Sequence, residues 1–162
     1  MAGVTLTQGK TIVENTDRKL TVHFTGVYAS GGDDATVVTI IDLDDASDYT
    51  QDGVALAADG FANSNGAPLT DLIIMSIKNS ASAIATGQFS GSLDWHSNTP
   101  LPITFIGTGY DSSVQSTLDF TPVSGLKNPR ATGYDGDLEI NMLGMGAAGD
   151  AIMLTIECIK RF

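Results

Sequence analysis

Residues Asp137–Phe162 read DLEINMLGMGAAGDAIMLTIECIKRF, and this stretch decides the fold class of the chain. Apolar residues occupy every second position from Leu138 to Met142 and again from Ile152 to Cys158, on either side of a glycine-rich link. A period of two is the pattern of a strand with one buried face, and such a link between two strands is typical of a turn. The sequence therefore predicts an antiparallel β-hairpin, with Cys158 on its buried face.

The rest of the chain repeats this pattern in short runs separated by Gly, Pro, Asn and Asp. We find no segment with a helical period sustained over three turns. About eight or nine short strands at this spacing are typical of a sandwich or jelly roll. The predicted fold is all-β, a single-domain antiparallel β-sandwich that is jelly-roll-like, with a closed β-barrel as the alternative. The predicted strands before the hairpin are Lys19–Tyr28, Thr36–Leu43, Leu69–Lys78, Gln88–Trp95, Ile103–Ile106 and Val114–Thr121.

Two segments depart from the strand pattern. Residues 1–18 are polar and rich in Thr, which predicts an extended N-terminal arm or an edge strand, followed by a β-sandwich domain over residues 19–162. Residues Asp44–Pro68 are rich in Asp, Ala, Gly and Asn and predict an irregular connection, with a short helical turn around Asp45–Tyr49. Connections of this length inside a compact domain are often functional or mobile.

Composition excludes several classes of function. The 162 residues carry a net charge of −11, and 16 of the 19 acidic residues are Asp. A nucleic-acid-binding protein needs a basic patch, and the eight Lys and Arg residues are too few and too scattered to form one. The sequence has no signal-peptide pattern and no apolar run long enough for a membrane span. We therefore expect synthesis in a cytoplasm and no binding to nucleic acid or membrane.

The densest group of candidate ligands is the acidic run Asp42, Asp44, Asp45 and Asp48. Carboxylates clustered on a loop can bind Ca²⁺, which takes several oxygen ligands. The EF-hand pattern fails here, because neither possible register has Gly at its sixth position or Glu at its twelfth. A solvated acidic loop is the favoured interpretation, so we predict no metal and keep these four residues as weak candidates.

No catalytic motif stands out. His23 and His96 are far apart in the sequence, and His23 is predicted to lie on the face opposite Leu20, Val22 and Phe24. The sequence lacks a G-x-S-x-G elbow and an H-E-x-x-H helix, and Gly107-Thr-Gly109 lacks the third glycine of a dinucleotide loop. We therefore predict a protein that is not an enzyme and that binds no cofactor.

A family resemblance is carried by turn motifs in the last third of the chain. They are Leu118-Asp-Phe120, Gly125-Leu-Lys-Asn-Pro129, Gly133, Gly136-Asp137-Leu138, Gly149-Asp150 and a final strand that reaches Lys160. This succession resembles small virion structural proteins of tailed bacteriophages, marine T7-like phages in particular. The resemblance implies a β-rich protein without enzymatic activity that decorates the capsid or belongs to the tail. It also implies a location in the virion, with the major capsid protein or other virion proteins as partners.

Capsid decoration is the favoured hypothesis. Decoration proteins gain avidity by assembling at symmetry axes, so a homotrimer is expected, with the N-terminal arm adding a strand to a neighbour. The second hypothesis is a tail or fibre component that binds a receptor or glycan through aromatic residues at strand ends. A hydrolase ranks third. The expected partner contacts are Val4, Leu6, Lys10, Arg18, Lys19, Trp95 and Tyr110.

Overall fold

A computed structural model describes residues 6–28, 36–83, 89–108, 112–129, 132–143 and 148–162 of the protein. Within these described residues, the regular structure consists of twelve strands and one short 3-10 helix, Thr121–Val123. The strands are β1 (Leu6–Asn15), β2 (Lys19–Tyr28), β3 (Thr36–Ile41), β4 (Thr50–Gln51), β5 (Val54–Ala55), β6 (Asp71–Ala83), β7 (Phe89–Trp95), β8 (Leu101–Thr108), β9 (Ser112–Asp119), β10 (Leu126–Lys127), β11 (Leu138–Leu143) and β12 (Ala151–Arg161).

These strands form two separate sheets. The large sheet has the order β10-β6-β12-β2-β1-β4-β5, with β9 also paired to β6, and the small sheet has the order β3-β11-β7-β8. Strand pairs are antiparallel except for a two-residue parallel contact between β1 and β4. The predicted antiparallel β-sandwich is therefore confirmed, and the closed barrel does not describe these two sheets. Successive strands often lie in opposite sheets.

The predicted C-terminal hairpin is wrong, although both of its strands exist. β11 pairs with β3 and β7 in the small sheet, whereas β12 pairs with β2 and β6 in the large sheet. The chain between them crosses from one sheet to the other. Alternation shows which face of a strand is buried, but not which strand lies beside it. Two strands can bury these faces by lying side by side in one sheet or by facing each other across the core.

The core lies between the sheets and is built from the inward positions of their strands. On β12, Ile152, Leu154, Ile156 and Cys158 are buried while the residues between them are more exposed. Cys158 therefore lies on the buried phase, as predicted, and burial raises the pKa of its thiol. Leu93, Leu138 and Ile140 meet these side chains from the small sheet. Burial of this apolar surface supplies the main stabilising free energy of the fold.

Over residues 6–15 the N-terminal segment forms strand β1, near one edge of the large sheet. β1 pairs with β2 along its length, from Leu6 opposite Tyr28 to Asn15 opposite Leu20, with one bulge after Ile12. The two-residue β4 covers its other side only at Thr11 and Ile12. Ile12 is buried in the core, which explains why this polar segment joins the sheet.

The connection over residues 44–68 closes one end of the sandwich. It contains β4 and β5 and buries Ala46, Tyr49 and Phe61 in the core. The helical turn expected around Asp45–Tyr49 is wrong, because only a turn closed by the Tyr49 N to Ala46 O hydrogen bond is present. In the described part of the chain, no helix is long and apolar enough to cross a membrane.

Candidate functional site

The acidic run singled out by the sequence does not converge on a common point. Asp42 Oδ1 accepts hydrogen bonds of 3.0 Å from the backbone N–H groups of Asp44 and Asp45. Asp45 Oδ1 accepts one of 2.8 Å from Ser47 N, and the Ser47 hydrogen bonds lower the pKa of Asp45. Asp48 Oδ2 lies 3.6 Å from Lys10 Nζ. These carboxylates therefore shape the turn, as Asp side chains commonly do in loops.

Two of the expected partner contacts have little free surface. Trp95 is 3% exposed and packs edge-to-face on Tyr134, with 5.9 Å between ring centroids. The Lys10 side chain is 11% exposed and lies over the ring of Tyr49, with Nζ 5.2 Å from its centroid. Both side chains are therefore engaged within the fold.

The structure describes three of the other expected contacts, which are Leu6, Arg18 and Lys19. Arg18 and Lys19 are exposed at the turn between β1 and β2. Leu6 begins β1, paired with Tyr28. Val4 and Tyr110 lie outside the described residues.

The outer face of the large sheet forms a regular surface. The register aligns three rows of residues across β1, β2, β12, β6 and β9, and every position in them is at least partly exposed. Side chains at these positions alternate with the buried residues of the same strands, so they point away from the core. We call these fifteen positions the hydroxyl face. The rows are Thr7-Val27-Ala151-Ser82-Ser113, Gly9-Thr25-Met153-Ser80-Gln115 and Thr11-His23-Thr155-Lys78-Thr117.

Eight of the fifteen positions carry a Ser or Thr hydroxyl, and none is acidic. His23 Nδ1 lies 2.9 Å from Thr155 Oγ1, which confirms that His23 points away from the core. A shallow depression of about 270 Å³ is lined in part by His23, Lys78 and Gln115. Each strand showed the alternation in sequence, but only the register between strands aligns these three rows without acidic residues. The next row on the same face carries Glu14, Glu157 and Asp119.

One exposed aromatic residue was missed by sequence analysis. Phe105 on β8 is 80% exposed, and it pairs with Ser92 on the neighbouring strand β7. The prediction placed Ile103–Ile106 on one apolar strand without resolving which side chains face the core. The bulge between Leu93 and Asp94 shifts the β7–β8 register, and Ile106 is the buried residue.

A second polar group lies at the ends of β7 and β11, where the sequence suggested no site. One ligand atom from each of His96, Asp135 and Asp137 lies within 4.8 Å of the others. His96 Nδ1 is hydrogen-bonded to Asp135 Oδ2, and Asp137 Oδ1 accepts a 2.9 Å hydrogen bond from Leu43 N.

The electrostatics of this group follow from partial burial of several acids. Burial raises the pKa of Asp137 to about 6, against the opposing effect of the Leu43 hydrogen bond. Burial lowers the pKa of His96. The hydrogen bond and charge of Asp135, together with the charges of Glu139 and Asp137, raise this pKa by more than burial lowers it, so the net shift is upward. The group therefore attracts positive charge.

Comparisons with known proteins do not place the chain in a family. No family model matches it, and no curated protein matches it. Among solved structures, a chain from a work on disulfide-linked pili of Bacillus endospore appendages shares 15% identity at a TM-score of 0.37, covering 98% of this chain and 91% of that one. The Tobacco streak virus coat protein shares 8% identity at 0.37, covering 93% and 85%.

A third neighbour is the enzymatically active domain of tailspike protein 4 from bacteriophage CBA120. It shares 13% identity at a TM-score of 0.33, and the match covers 98% of this chain but 19% of that one. The structural neighbours thus include a viral coat protein and a phage tailspike domain. At these TM-scores the superpositions carry no argument about function.

Proposed function

We propose that this protein is a non-enzymatic structural component of a phage virion that binds the capsid shell through its hydroxyl face. The observation that carries the proposal is the distribution of charge on this face. In a chain with a net charge of −11, fifteen aligned positions contain no acid, and their charged or titratable side chains are His23 and Lys78. Depletion of charged residues is characteristic of the centre of protein–protein interfaces.

The size of the face supports this role. Five strands about 4.8 Å apart, each with three alternate residues that span five positions at about 3.4 Å per residue, give a surface roughly 20 Å by about 15 Å. A standard interface buries about 800 Å² on each partner, so the hydroxyl face would form its centre and neighbouring residues its rim. Ser and Thr hydroxyls both donate and accept hydrogen bonds and lose little side-chain entropy on ordering.

Capsid decoration does not require high affinity at each contact. A face of small polar side chains makes a wet interface, in which water bridges contribute alongside direct hydrogen bonds. Many copies on one shell, or a trimer at a symmetry axis, would convert such contacts into high occupancy through avidity. We expect trimers, and sedimentation of the isolated protein as monomers at high concentration would count against them.

The alternative is a tail or fibre component that binds a glycan. Its expected contact, Trp95, is buried against Tyr134 and offers no face to a sugar. His23 contributes the only ring among the fifteen positions of the hydroxyl face. Exposed Phe105 is the feature that keeps this alternative open, and a glycan array would test it directly.

The decisive test measures binding of the purified protein to shells of the phage that encodes it. Ser80→Arg places a long charged side chain near the centre of the hydroxyl face, and Val37→Arg places the same change at an exposed position of the small sheet. We expect Ser80→Arg to lose at least about 10-fold in affinity by cosedimentation, equivalent to about 1.4 kcal/mol. Val37→Arg should bind like the unmodified protein.

Equal binding by all three proteins would refute docking through this face. Loss with Val37→Arg alone would move the interface to the small sheet. Cryo-electron microscopy of decorated shells would then locate the chain directly, and its absence from the virion would refute the proposed function itself.

A further inference from the structure

The polar group at the ends of β7 and β11 extends inward to two buried acids. Glu139 on β11 is 4% exposed, and its Oε2 lies 3.9 Å from His96 Nε2. Asp94 on β7 lies directly opposite Glu139 in the antiparallel ladder and is 2% exposed. We call these five residues, Asp94, His96, Asp135, Asp137 and Glu139, the His96 cluster.

Asp94 is the unusual member of the cluster. Its Oδ1 is buried and has no hydrogen-bond partner within the described residues. A buried carboxylate oxygen without a partner is costly, and like charges directly opposite each other on neighbouring strands are destabilising. Burial raises the pKa of Glu139, and the charge of Asp94 raises it further. Asp94 therefore adds negative potential at the inner end of the cluster.

No Lys or Arg forms an ion pair with a cluster member in the part of the chain that the structure describes. Among the described residues, His96 is the potential cation that faces these four carboxylates. Even when protonated, it leaves the cluster with an excess of negative charge unless protons occupy some of the acids. A bound cation would supply the missing positive charge without requiring the buried acids to be protonated.

We propose that the His96 cluster binds a divalent transition-metal ion, Zn²⁺ or Mn²⁺, through His96, Asp135 and Asp137. The ligand atoms of these three residues already lie within 4.8 Å of one another. Ligands about 2.1 Å from a tetrahedral ion are separated by about 3.4 Å, so small side-chain rotations bring them into range. Glu139 and Asp94 supply negative charge behind the ligands.

The chemistry of the donors selects the class of ion. An imidazole nitrogen combined with carboxylate oxygens suits Zn²⁺ and Mn²⁺, whereas Ca²⁺ and Mg²⁺ favour sites made entirely of oxygen. The Asp42–Asp48 run presents only oxygen donors, and the contacts described above engage Asp42 and Asp45 with the backbone and place Asp48 near Lys10. The two acidic regions therefore differ in both ligand type and convergence.

A metal at this position would have a structural role. His96 follows β7, while Asp135 and Asp137 lie in the segment that leads into β11. An ion held by all three would fix that segment to the end of the small sheet. Binding to the folded chain alone raises its stability in proportion to the logarithm of the free metal concentration. This role is independent of docking through the hydroxyl face.

The test uses the full chain, stripped with chelator and then titrated with ZnCl₂, MnCl₂ or CaCl₂ alone. We expect one Zn²⁺ or Mn²⁺ per chain by calorimetry and an increase in the thermal unfolding temperature, with much weaker binding of Ca²⁺. His96→Gln and Asp135→Asn should each weaken binding at least about 10-fold. Asp45→Asn, a change in the exposed acidic run, should leave the affinity unchanged.

His23→Gln provides a second control, because it removes the only other imidazole in the chain. Circular dichroism verifies that each variant is folded, and if one ligand variant fails to fold the other decides. Absence of binding by both Zn²⁺ and Mn²⁺ would overturn the proposal. It would also be overturned by unchanged affinity in a folded ligand variant, or by Ca²⁺ binding as tight as that of Zn²⁺.

Discussion

Lys160 Nζ donates a 2.9 Å hydrogen bond to the backbone carbonyl of Phe61, at a position where β12 points into the protein. The same ammonium group donates to Asn15 Oδ1 on β1. Lys160 is 6% exposed, and burial lowers its pKa. One side chain thus joins the last strand, the first strand and the long connection that closes this end of the sandwich.

Replacing Lys160 with Met should destabilise the protein by about 2 kcal/mol. The change keeps the apolar stem but leaves the Phe61 carbonyl and the Asn15 amide oxygen without this donor, and buried hydrogen bonds to charged groups contribute about 1.5–3 kcal/mol. Urea unfolding measures the loss, with Lys19→Met, at an exposed position, as the control. Equal stability of the two variants would mean that relief of the buried charge offsets the lost hydrogen bonds.

Tyr49→Phe should cost about 1–2 kcal/mol. The Tyr49 hydroxyl donates a 2.9 Å hydrogen bond to Ile40 O and accepts one of 2.9 Å from Asp42 N, while its ring packs edge-to-face on Phe61. The substitution keeps the ring and leaves a buried carbonyl and a backbone N–H without a partner, which is costly. Thermal or urea unfolding gives the change in stability.

Tyr134→Phe is the matched control for this prediction. The Tyr134 side chain is only partly buried, and its hydroxyl lies 3.4 Å from Asp71 Oδ1 and is hydrogen-bonded to the Asn128 side chain, not to the backbone. Its loss should therefore be clearly smaller. If Tyr134→Phe proves the more damaging change, the hydroxyl of Tyr49 does not organise the connection as described.

Gly136→Ala should destabilise the fold more than Gly66→Ala. Both glycines have a positive φ, +104° and +77°, so each substitution carries backbone strain of about 1 kcal/mol or more. A Cβ at position 136 would also lie 2.2 Å from Leu43 Cδ1, whereas a Cβ at position 66 meets nothing within 4 Å. The difference in unfolding free energy between the two variants isolates this clash, and equal losses would contradict it.

The periodicity of the sequence predicted the positions of strands well, but it predicted poorly which strands pair with each other. The boundaries of β2 were predicted correctly, Lys19–Tyr28, because alternation marks the buried face along a single strand. The pairing of β11 with β12 was wrong, since two inward faces can meet across a core as readily as within one sheet. β6 also continues to Ala83, beyond the predicted strand Leu69–Lys78, because its register with β12 and β9 holds that segment.

The candidate sites also could not be predicted without knowing which strands pair. The run Asp42–Asp48 was a candidate metal site because its carboxylates are close in sequence. In the structure, Asp42 and Asp45 accept hydrogen bonds from nearby backbone N–H groups instead. His96 and Asp135 are separated by 39 positions and meet because β7 pairs with β11. The signal available in the sequence was Asp94, on the outward phase of a predicted strand and two residues before His96. Strand register was needed to interpret it.

The position of β1 changes the meaning of an N-terminal truncation. If the N-terminal segment were an arm that adds a strand to a neighbour, removal of residues 2–17 would test that role. This truncation would delete β1, including buried Ile12 and the Asn15 oxygen that accepts from Lys160, so the sheet itself would lose a strand. Point changes on the hydroxyl face therefore test docking more cleanly.

Asp94→Asn should stabilise the metal-free protein by about 1 kcal/mol. The change removes a buried negative charge opposite Glu139 and provides an amide that can donate to it, and uncompensated buried charges are among the costliest features of a fold. Urea unfolding in the presence of chelator measures the gain, with exposed Asp59→Asn as the control. In saturating Zn²⁺ the gain should shrink, because the ion already neutralises the cluster. Destabilisation by Asp94→Asn in chelator would mean that the ionised carboxylate is favourable in the fold without metal.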